Sequence, residues 1–289
     1  LRYPVPFLGY METGRVIDAQ ADGFAVGQRV AGTWGHKTGH TGDPSRDLLI
    51  PMPDDIDPVL GVFVAQMGPI AANAILHADA AAHGRNAVTF GAGVEGRRVV
   101  VWGGGTVGLM TALFARRAGA AEVVLAEPSA FRRHIAGRLG LEAETEEGAM
   151  LRAKGWSGPG DRGADLVFQT RAHGGSLHLA LRSLRPQGAV IDLAFYQGGV
   201  PELRLGEEFH HNGLSLIAAQ IGRVPPGLGA TWDRRRLSGE TLRLLSADGA
   251  AMRAAMITHV VPFDEAPGFL NHLITDRPEF LQIVFEVPS

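Results

Sequence analysis

Gly103, Gly105 and Gly108 stand in the spacing G-x-G-x-x-G, directly after the apolar run Arg98-Val99-Val100-Val101-Trp102 and directly before Leu109 to Ala118, whose apolar residues recur at helical spacing. A strand, a glycine turn and a helix in that order cradle a pyrophosphate. Each glycine has its own task. Gly103 permits the tight turn, Gly105 lets the backbone approach the anion, and Gly108 lets the helix pack closely on the strand, while the helix N-terminus faces the phosphates. The next β-branched run, Glu122 to Ala126, ends on Glu127, an acid at roughly the 20-residue distance at which a carboxylate grips an adenosine ribose. These residues point to a dinucleotide site. The competing reading is a glycine-rich turn in an unrelated α/β protein, which the full strand-turn-helix-strand-acid order disfavours.

Other chemistry-bearing residues are sparser. His36-Lys37-Thr38-Gly39-His40 lies in a polar loop, its glycine disfavours the helix that would put both rings on one face, and no third ligand has metal spacing. No metal site is expected there. His210 and His211 read as surface residues on a loop ahead of a strand, and His259 as a packing or capping residue on a strand. For Arg132 and Arg133 a solvated helix face and a cofactor role are both open. The chain has no cysteine, which removes disulfides, thiolate metal ligands and a cysteine nucleophile together.

The elements that must position these residues follow from the rest of the chain. With 289 residues, 45% hydrophobic and 20% charged, the composition is that of an ordinary globular protein of two domains. A net charge of -3 with no basic stripe beyond clusters such as Arg234-Arg235-Arg236 excludes an electrostatic nucleic-acid binder. No apolar run approaches the ~20 residues of a spanning helix, so a cytoplasmic protein with no membrane partner is expected. Residues 1 to about 68 carry short β-branched runs with tight turns, and the apolar stretch Val59 to Leu76 reads as a helix interrupted at Gly68-Pro69. From about 69 to 224 strands and helices alternate, including strands over Asp165 to Gln169, Ala189 to Leu193 and Leu214 to Ile217. After Pro225-Pro226-Gly227 come a helix around Ser238 to Ser246, a strand over Ile257 to Val261, a helix near Asp264 to Ile274 and a last strand over Leu281 to Val287.

Gly9-Tyr10-Met11-Glu12-Thr13-Gly14-Arg15-Val16, Gly27-Gln28-Arg29-Val30, the glycine turn and Ile257-Thr258-His259-Val260-Val261-Pro262-Phe263 resemble the medium-chain dehydrogenase/reductase superfamily, the zinc-type alcohol and polyol dehydrogenase relatives. The resemblance implies an α/β chain: a Rossmann domain with a doubly wound parallel sheet over residues 69–224, and a discontinuous GroES-like β domain from residues 1–68 and 225–289. It places the active site between the two, and implies that the first part of the β domain is incomplete at its N-terminus. The chain departs from the family at the metal. Where zinc-bearing members have Gly-His-Glu, this chain has Gly9-Tyr10-Met11, and where they carry a further ligand it has Gly68. The four-cysteine lobe is absent, so a member without zinc ligands is expected.

Carried over from the family, Gly103, Gly105, Thr106, Val107 and Gly108 meet the pyrophosphate, Glu127 and Arg132 the adenosine ribose, Thr170 and Arg171 the length of the cofactor, and Leu193 to Phe195 the nicotinamide. A carboxylate at Glu127 accepts from both ribose hydroxyls and repels a 2′-phosphate, so NAD is expected over NADP. The activity implied is hydride transfer between NAD(H) and a small alcohol, ketone or activated double bond; the other class is a silent nucleotide-binding sensor or partner-binding protein. Without zinc, Tyr10 is the candidate donor to the substrate oxygen, with His36, Lys37 and His40 tuning it or relaying protons. The alternative is that Tyr10 merely fills the metal's volume. The uncharged stretch Leu214 to Ile221 on a sheet edge implies a homodimer.

Overall fold

The computed structural model describes residues 9–87, 89–156 and 161–287. The chain forms two units, one from Leu1–Pro69 and Ser238–Ser289, the other from Ile70–Leu237.

In the first unit β1 (Glu12–Arg15), β2 (Arg29–Gly32) and β3 (Ile50–Pro51) make a small antiparallel sheet, with Glu12 opposite Gly32 and Thr13 opposite Ala31. A 3-10 helix over Pro58–Phe63 follows. Its cap Asp57 accepts from the Val59 N–H at 2.9 Å, and Pro58 stands where a helix has no use for an N–H. Leu60 and Phe63 are buried to within 1%, and Ile50 and Met52 of the same unit are buried as well. Helix α1 (Met67–His83) then begins. Gly68 and Pro69 fall in its first turn rather than interrupting it, because the first N–H groups of a helix have no intrahelical acceptor and the missing N–H of Pro69 costs nothing.

The second unit alternates strand and helix: β4 (Arg98–Trp102), α2 (Thr106–Arg117), β5 (Glu122–Ala126), α3 (Ala130–Arg138), β6 (Glu142–Glu144), α4 (Glu146–Gly155), β7 (Ala164–Gln169), α5 (Gly174–Ser183), β8 (Leu184–Asp192), α6 (Glu208–His211) and β9 (Ser215–Ala218). The six strands are parallel in the order β6-β5-β4-β7-β8-β9. Val99 to Trp102 are fully buried, as a central parallel strand covered on both faces requires. The chain winds outward from β4 through β5 to β6, then returns to β7 on the other flank. That reversal opens a crevice at the carboxyl ends of β4 and β7, the usual ligand position in such sheets.

Three differences from the sequence reading have clear causes. Strand β8 starts at Leu184, ahead of the expected Ala189, and absorbs Pro186-Gln187-Gly188 as a register irregularity in which Gln187 takes φ 62°. The His210-His211 pair lies on the short helix α6 rather than a loop, with the rings edge to face at 5.6 Å. The Pro225-Pro226-Gly227 break falls inside the second unit, because Trp232 downstream of it is 3% exposed, against Phe90 at 5.7 Å and under Arg236 at 3.8 Å.

Helix α7 (Arg234–Met256) leads back into the first unit and runs well past the expected end at Ser246. Gly249 does not stop it, since a side chain there would press on Leu60 at 3.2 Å and the glycine serves close packing. Strands β10 (Ile257–Pro262) and β11 (Gln282–Glu286) then pair in parallel, joined through α8 (Ala266–Asp276). His259 rests against Phe269 with ring centres 5.3 Å apart and its Nδ1 3.0 Å from Thr258 Oγ1, a packing role. Among the described residues no helix is long and apolar enough to cross a membrane.

Candidate functional site

The glycine turn sits at the carboxyl end of β4, in the crevice of the second unit. Its glycines have different physical reasons. Gly103 adopts φ 105°, and a Cβ there would lie 2.6 Å from Thr170 Oγ1, so both its backbone and its neighbour demand glycine. Gly108 permits contact between helix and turn, because a Cβ would overlap the Gly103 carbonyl oxygen. Gly105 is unlike either. Its φ of -76° is ordinary, and the nearest atom to a Cβ would be Arg132 Nη1 at 3.9 Å. Nothing in the chain requires glycine there; the open space beside it belongs to a cavity of about 420 Å³ lined by Gly103, Gly105, Glu127, Arg132, Thr170, Arg171 and Ala172.

Glu127 directly follows β5 and is only 3% exposed. Its Oε2 accepts from the Gly104 N–H at 2.7 Å and its Oε1 from the Ser129 N–H at 2.8 Å, so the carboxylate braces the turn from beneath while still lining the cavity. This explains Gly104, a glycine outside the fingerprint: a Cβ would come within 2.9 Å of Glu127 Cγ. The neighbouring arginines divide. Arg133 Nη1 donates to the Glu127 and Pro128 carbonyls at 2.8 and 2.7 Å, which ties the strand end. The Arg132 guanidinium has no hydrogen bond or ion pair among the described residues and lines the cavity.

Thr170 donates from both N and Oγ1 to the Trp102 carbonyl, at 2.8 and 2.7 Å, and clamps β7 to β4. Arg171 lines the cavity with its Nη1 3.7 Å from Glu146 Oε1, an oxygen that also accepts from Ser176 Oγ at 2.5 Å. Thr106 and Val107 occupy the first turn of α2, half buried. Leu193 lies one strand further along, its N–H donating to the Gln169 carbonyl at 2.9 Å, outside that lining. Beside it is a group the sequence reading missed: Asp192 Oδ1 accepts from the Ala194 N–H at 3.0 Å and the Tyr196 hydroxyl at 3.2 Å. Burial pushes the Asp192 carboxyl up against those two bonds, and burial together with Asp192 pushes the Tyr196 phenol up.

The candidate catalytic residues all belong to the first unit. Tyr10 is 36% exposed. The ring of His36 lies over Gly9, where a Cβ would overlap its Cε1, which accounts for the glycine of that motif. His36 Nε2 is 3.8 Å from Oε1 of Glu12; burial holds the imidazole below its ordinary value and raises the Glu12 carboxyl, the latter against N–H groups of Trp34 and Gly35 and the charge of Lys37. His40 is separate from this pair, stacked on Trp34 at 5.4 Å with Nε2 3.8 Å from Asp47 Oδ2. Glu12 escaped the sequence reading, although an acid on a half-buried strand directly after Tyr10-Met11 was the available signal.

The donor set does not fit zinc. Tyr10 and Met11 replace histidine and glutamate, and a side chain at Gly68 would collide with that of Thr241 in the same unit. Among the described residues no three His, Cys, Asp or Glu side chains group as a metal site needs.

The parallel sheet, its glycine turn and the discontinuous first unit define the fold of the zinc-type medium-chain alcohol and polyol dehydrogenases. An alcohol dehydrogenase from Thermus sp. ATN1 superposes with a TM-score of 0.72 at 18% identity, over 97% of this chain and 84% of that one. A zinc-binding dehydrogenase homologue from Sinorhizobium meliloti 1021, solved bound to NADP, gives 0.63 at 22% identity over 95% and 80%. In sequence the chain is similar to D-guloside 3-dehydrogenase of Escherichia coli K12, 28% identical over 180 residues, which is 61% of this chain; the match spans half the length of that relative. No protein-family model matches the chain.

Proposed function

We propose that the chain is an NAD(H)-dependent oxidoreductase that removes hydride from a secondary hydroxyl of a small polyol or sugar, without zinc. The observation that carries this reading is Gly105: a glycine that the packing of the described residues does not require, facing a cavity with an arginine whose guanidinium has no partner among them, is what the close approach of a pyrophosphate demands. The similarity to a guloside dehydrogenase supports the substrate class. In this reading Glu127 faces the adenosine ribose, Arg132 lies beside it, Thr170 and Arg171 follow the cofactor, and Leu193 lies toward the nicotinamide. Tyr10 and His36 supply the polar contacts to the reacting oxygen, with His40 bracing their loop. The donor set argues for chemistry that does not route through zinc.

NAD is preferred because the Glu127 carboxylate, anchored by two N–H groups and unable to swing aside, would meet a 2′-phosphate with like charge. Arg132 is the residue that would favour NADP, the cofactor bound in one of the structural relatives. Strand β9 is the sheet edge, uncharged along Ser215–Ala218 with Leu216 exposed, and we assign it as the contact of a homodimer. The test is cofactor reduction across a panel of polyols, sugars and simple secondary alcohols. Turnover with NAD and a sugar alcohol is expected. A protein that binds NADH yet reduces no cofactor with any of them would instead be the silent sensor.

A further inference from the structure

Arg171 lines the cavity of the second unit on a loose tether. Its side chain is 33% exposed, and its one ion-pair partner among the described residues is Glu146, with Nη1 3.7 Å from Oε1. That separation is beyond hydrogen-bond reach, and the guanidinium makes no hydrogen bond among the described residues. Glu146 does not depend on it. The carboxylate stands in the first turn of α4, where the helix favours a negative charge, and the Ser176 hydroxyl of α5 donates to the same Oε1. Ser176 is buried and its N–H donates to His173 Nδ1 at 3.3 Å, so its bond to Glu146 already ties the start of α4 to the start of α5. An ion pair this open adds little to the stability of the fold.

The backbone of Arg171 is placed more firmly than its charge. A Cβ at Gly103 would stand 3.2 Å from both the N and the Cβ of Arg171, so the side chain starts at the wall of the glycine turn. Arg132 flanks the other open glycine, its Nη1 3.9 Å from where a Gly105 Cβ would be. Glu127 pairs with neither arginine, because its two oxygens accept from the Gly104 and Ser129 N–H groups. Two guanidinium groups against one carboxylate give the lining a net positive charge, and Gly105 provides α2 with no side-chain cap. That combination suits an anion carrying two charges.

We propose that Arg171 exchanges Glu146 for the diphosphate of the dinucleotide. Before the dinucleotide binds, Glu146 holds the guanidinium at the edge of the turn; once it is bound, the guanidinium turns to the phosphate oxygens. The exchange gives up a weak ion pair and makes a charge-assisted contact. Glu146 is then a competitor that limits affinity. A dehydrogenase must release its reduced cofactor on every turnover, and a carboxylate that takes Arg171 back favours that release. This rests on the dinucleotide reading above, and adds to it the residue that meets the diphosphate and the residue that opposes it.

Calorimetric NADH titrations and thermal melting of wild type, Arg171→Ala, Glu146→Gln and the double variant test the exchange. Glutamine keeps an oxygen for the Ser176 hydroxyl, so Glu146→Gln is the milder change to the fold; should Arg171→Ala fail to fold, Arg171→Gln takes its place. The expected results are NADH affinity down roughly tenfold in Arg171→Ala, up about threefold in Glu146→Gln, and equal in the double variant and Arg171→Ala, with melting temperatures close to wild type throughout. Affinity in Arg171→Ala within about twofold of wild type, Glu146→Gln binding no tighter than wild type, or a tightening that persists without Arg171 each overturns the exchange and leaves the dinucleotide reading intact. Wild-type protein without saturable NADH binding overturns both.

Discussion

The two ends of the parallel sheet carry similar residues to opposite effect. At the amino end Asp165 on β7 receives the Arg98 guanidinium at 3.0 and 3.1 Å, the Arg98 N–H at 2.8 Å and Arg185 Nε at 2.6 Å. Asp165, Arg98 and Arg185 answer one another within the chain. At the carboxyl end Arg132 has no partner among the described residues and Gly105 faces open space. Charges satisfied internally hold β4, β7 and β8 in register; charges and glycines left open identify the edge that meets something else. The same contrast separates Arg133, spent on two carbonyls, from Arg132 next to it in sequence.

The largest effect that would sharpen this comparison is structural. Gly108→Val must drive a side chain into the Gly103 carbonyl, and we expect loss of soluble folded protein or a destabilisation of about 3 kcal/mol or more, read by thermal or urea unfolding. A variant as stable as wild type would mean that the helix does not need to approach the turn. At the amino end, Asp165→Ala strands Arg98 and Arg185 and should cost about 3 kcal/mol without altering NADH affinity. An equal loss of affinity would blur the two ends.

The pH dependence of that cluster has a definite sign. Although burial alone would raise Asp165, hydrogen bonds from the Arg98 guanidinium and N–H and from Arg185 outweigh it and hold the carboxyl at about 2. Its folded value lies below the ordinary carboxylate value of about 3.9, so its stabilisation is present above pH ~4 and is lost as pH falls toward 2. Urea midpoints from pH 7 down to 2.5 should fall more steeply at the acid end in wild type than in Asp165→Asn. Parallel curves would remove Asp165 from the account.

Effects at the open end should be smaller and confined to ligand. Arg132→Ala is expected to weaken NADH binding roughly tenfold, in keeping with a charge-assisted contact of about 1.5 kcal/mol, at unchanged melting temperature. Arg133→Ala should do the reverse, lowering stability by about 1 kcal/mol with affinity nearly unchanged. Calorimetry on the two variants decides it, and identical behaviour would break the division between them.

How much of this could be read from sequence follows the same contrast. The glycine turn, Glu127 and the alternation of the second unit were legible because each is local: period, spacing and residue type fall within one strand-turn-helix segment. The start of β8 was not, since Pro186-Gln187-Gly188 is turn-like by composition and only pairing with β7 holds it extended around Gln187. Nor was the length of α7, because the tolerance of Gly249 depends on Leu60 from a distant part of the chain. Glu12 was hidden for a like reason. One of its oxygens is buried with no hydrogen-bond partner among the described residues, and residue type cannot reveal what a side chain fails to meet.

Gly105 offers the most direct test of the central claim, that the open carboxyl edge is built for a dinucleotide. NADH fluorescence titrations of wild type and Gly105→Val, each checked for melting temperature, should give saturable binding in wild type and a loss of at least about 100-fold in the variant, the cost of blocking a phosphate contact by about 2.7 kcal/mol or more. The valine should cost no more than the exchange of an N-cap glycine, about 1 kcal/mol, since among the described residues beyond its chain neighbours the nearest atom to a Cβ there is Arg132 Nη1 at 3.9 Å. Undiminished NADH binding by a folded Gly105→Val protein would contradict the account.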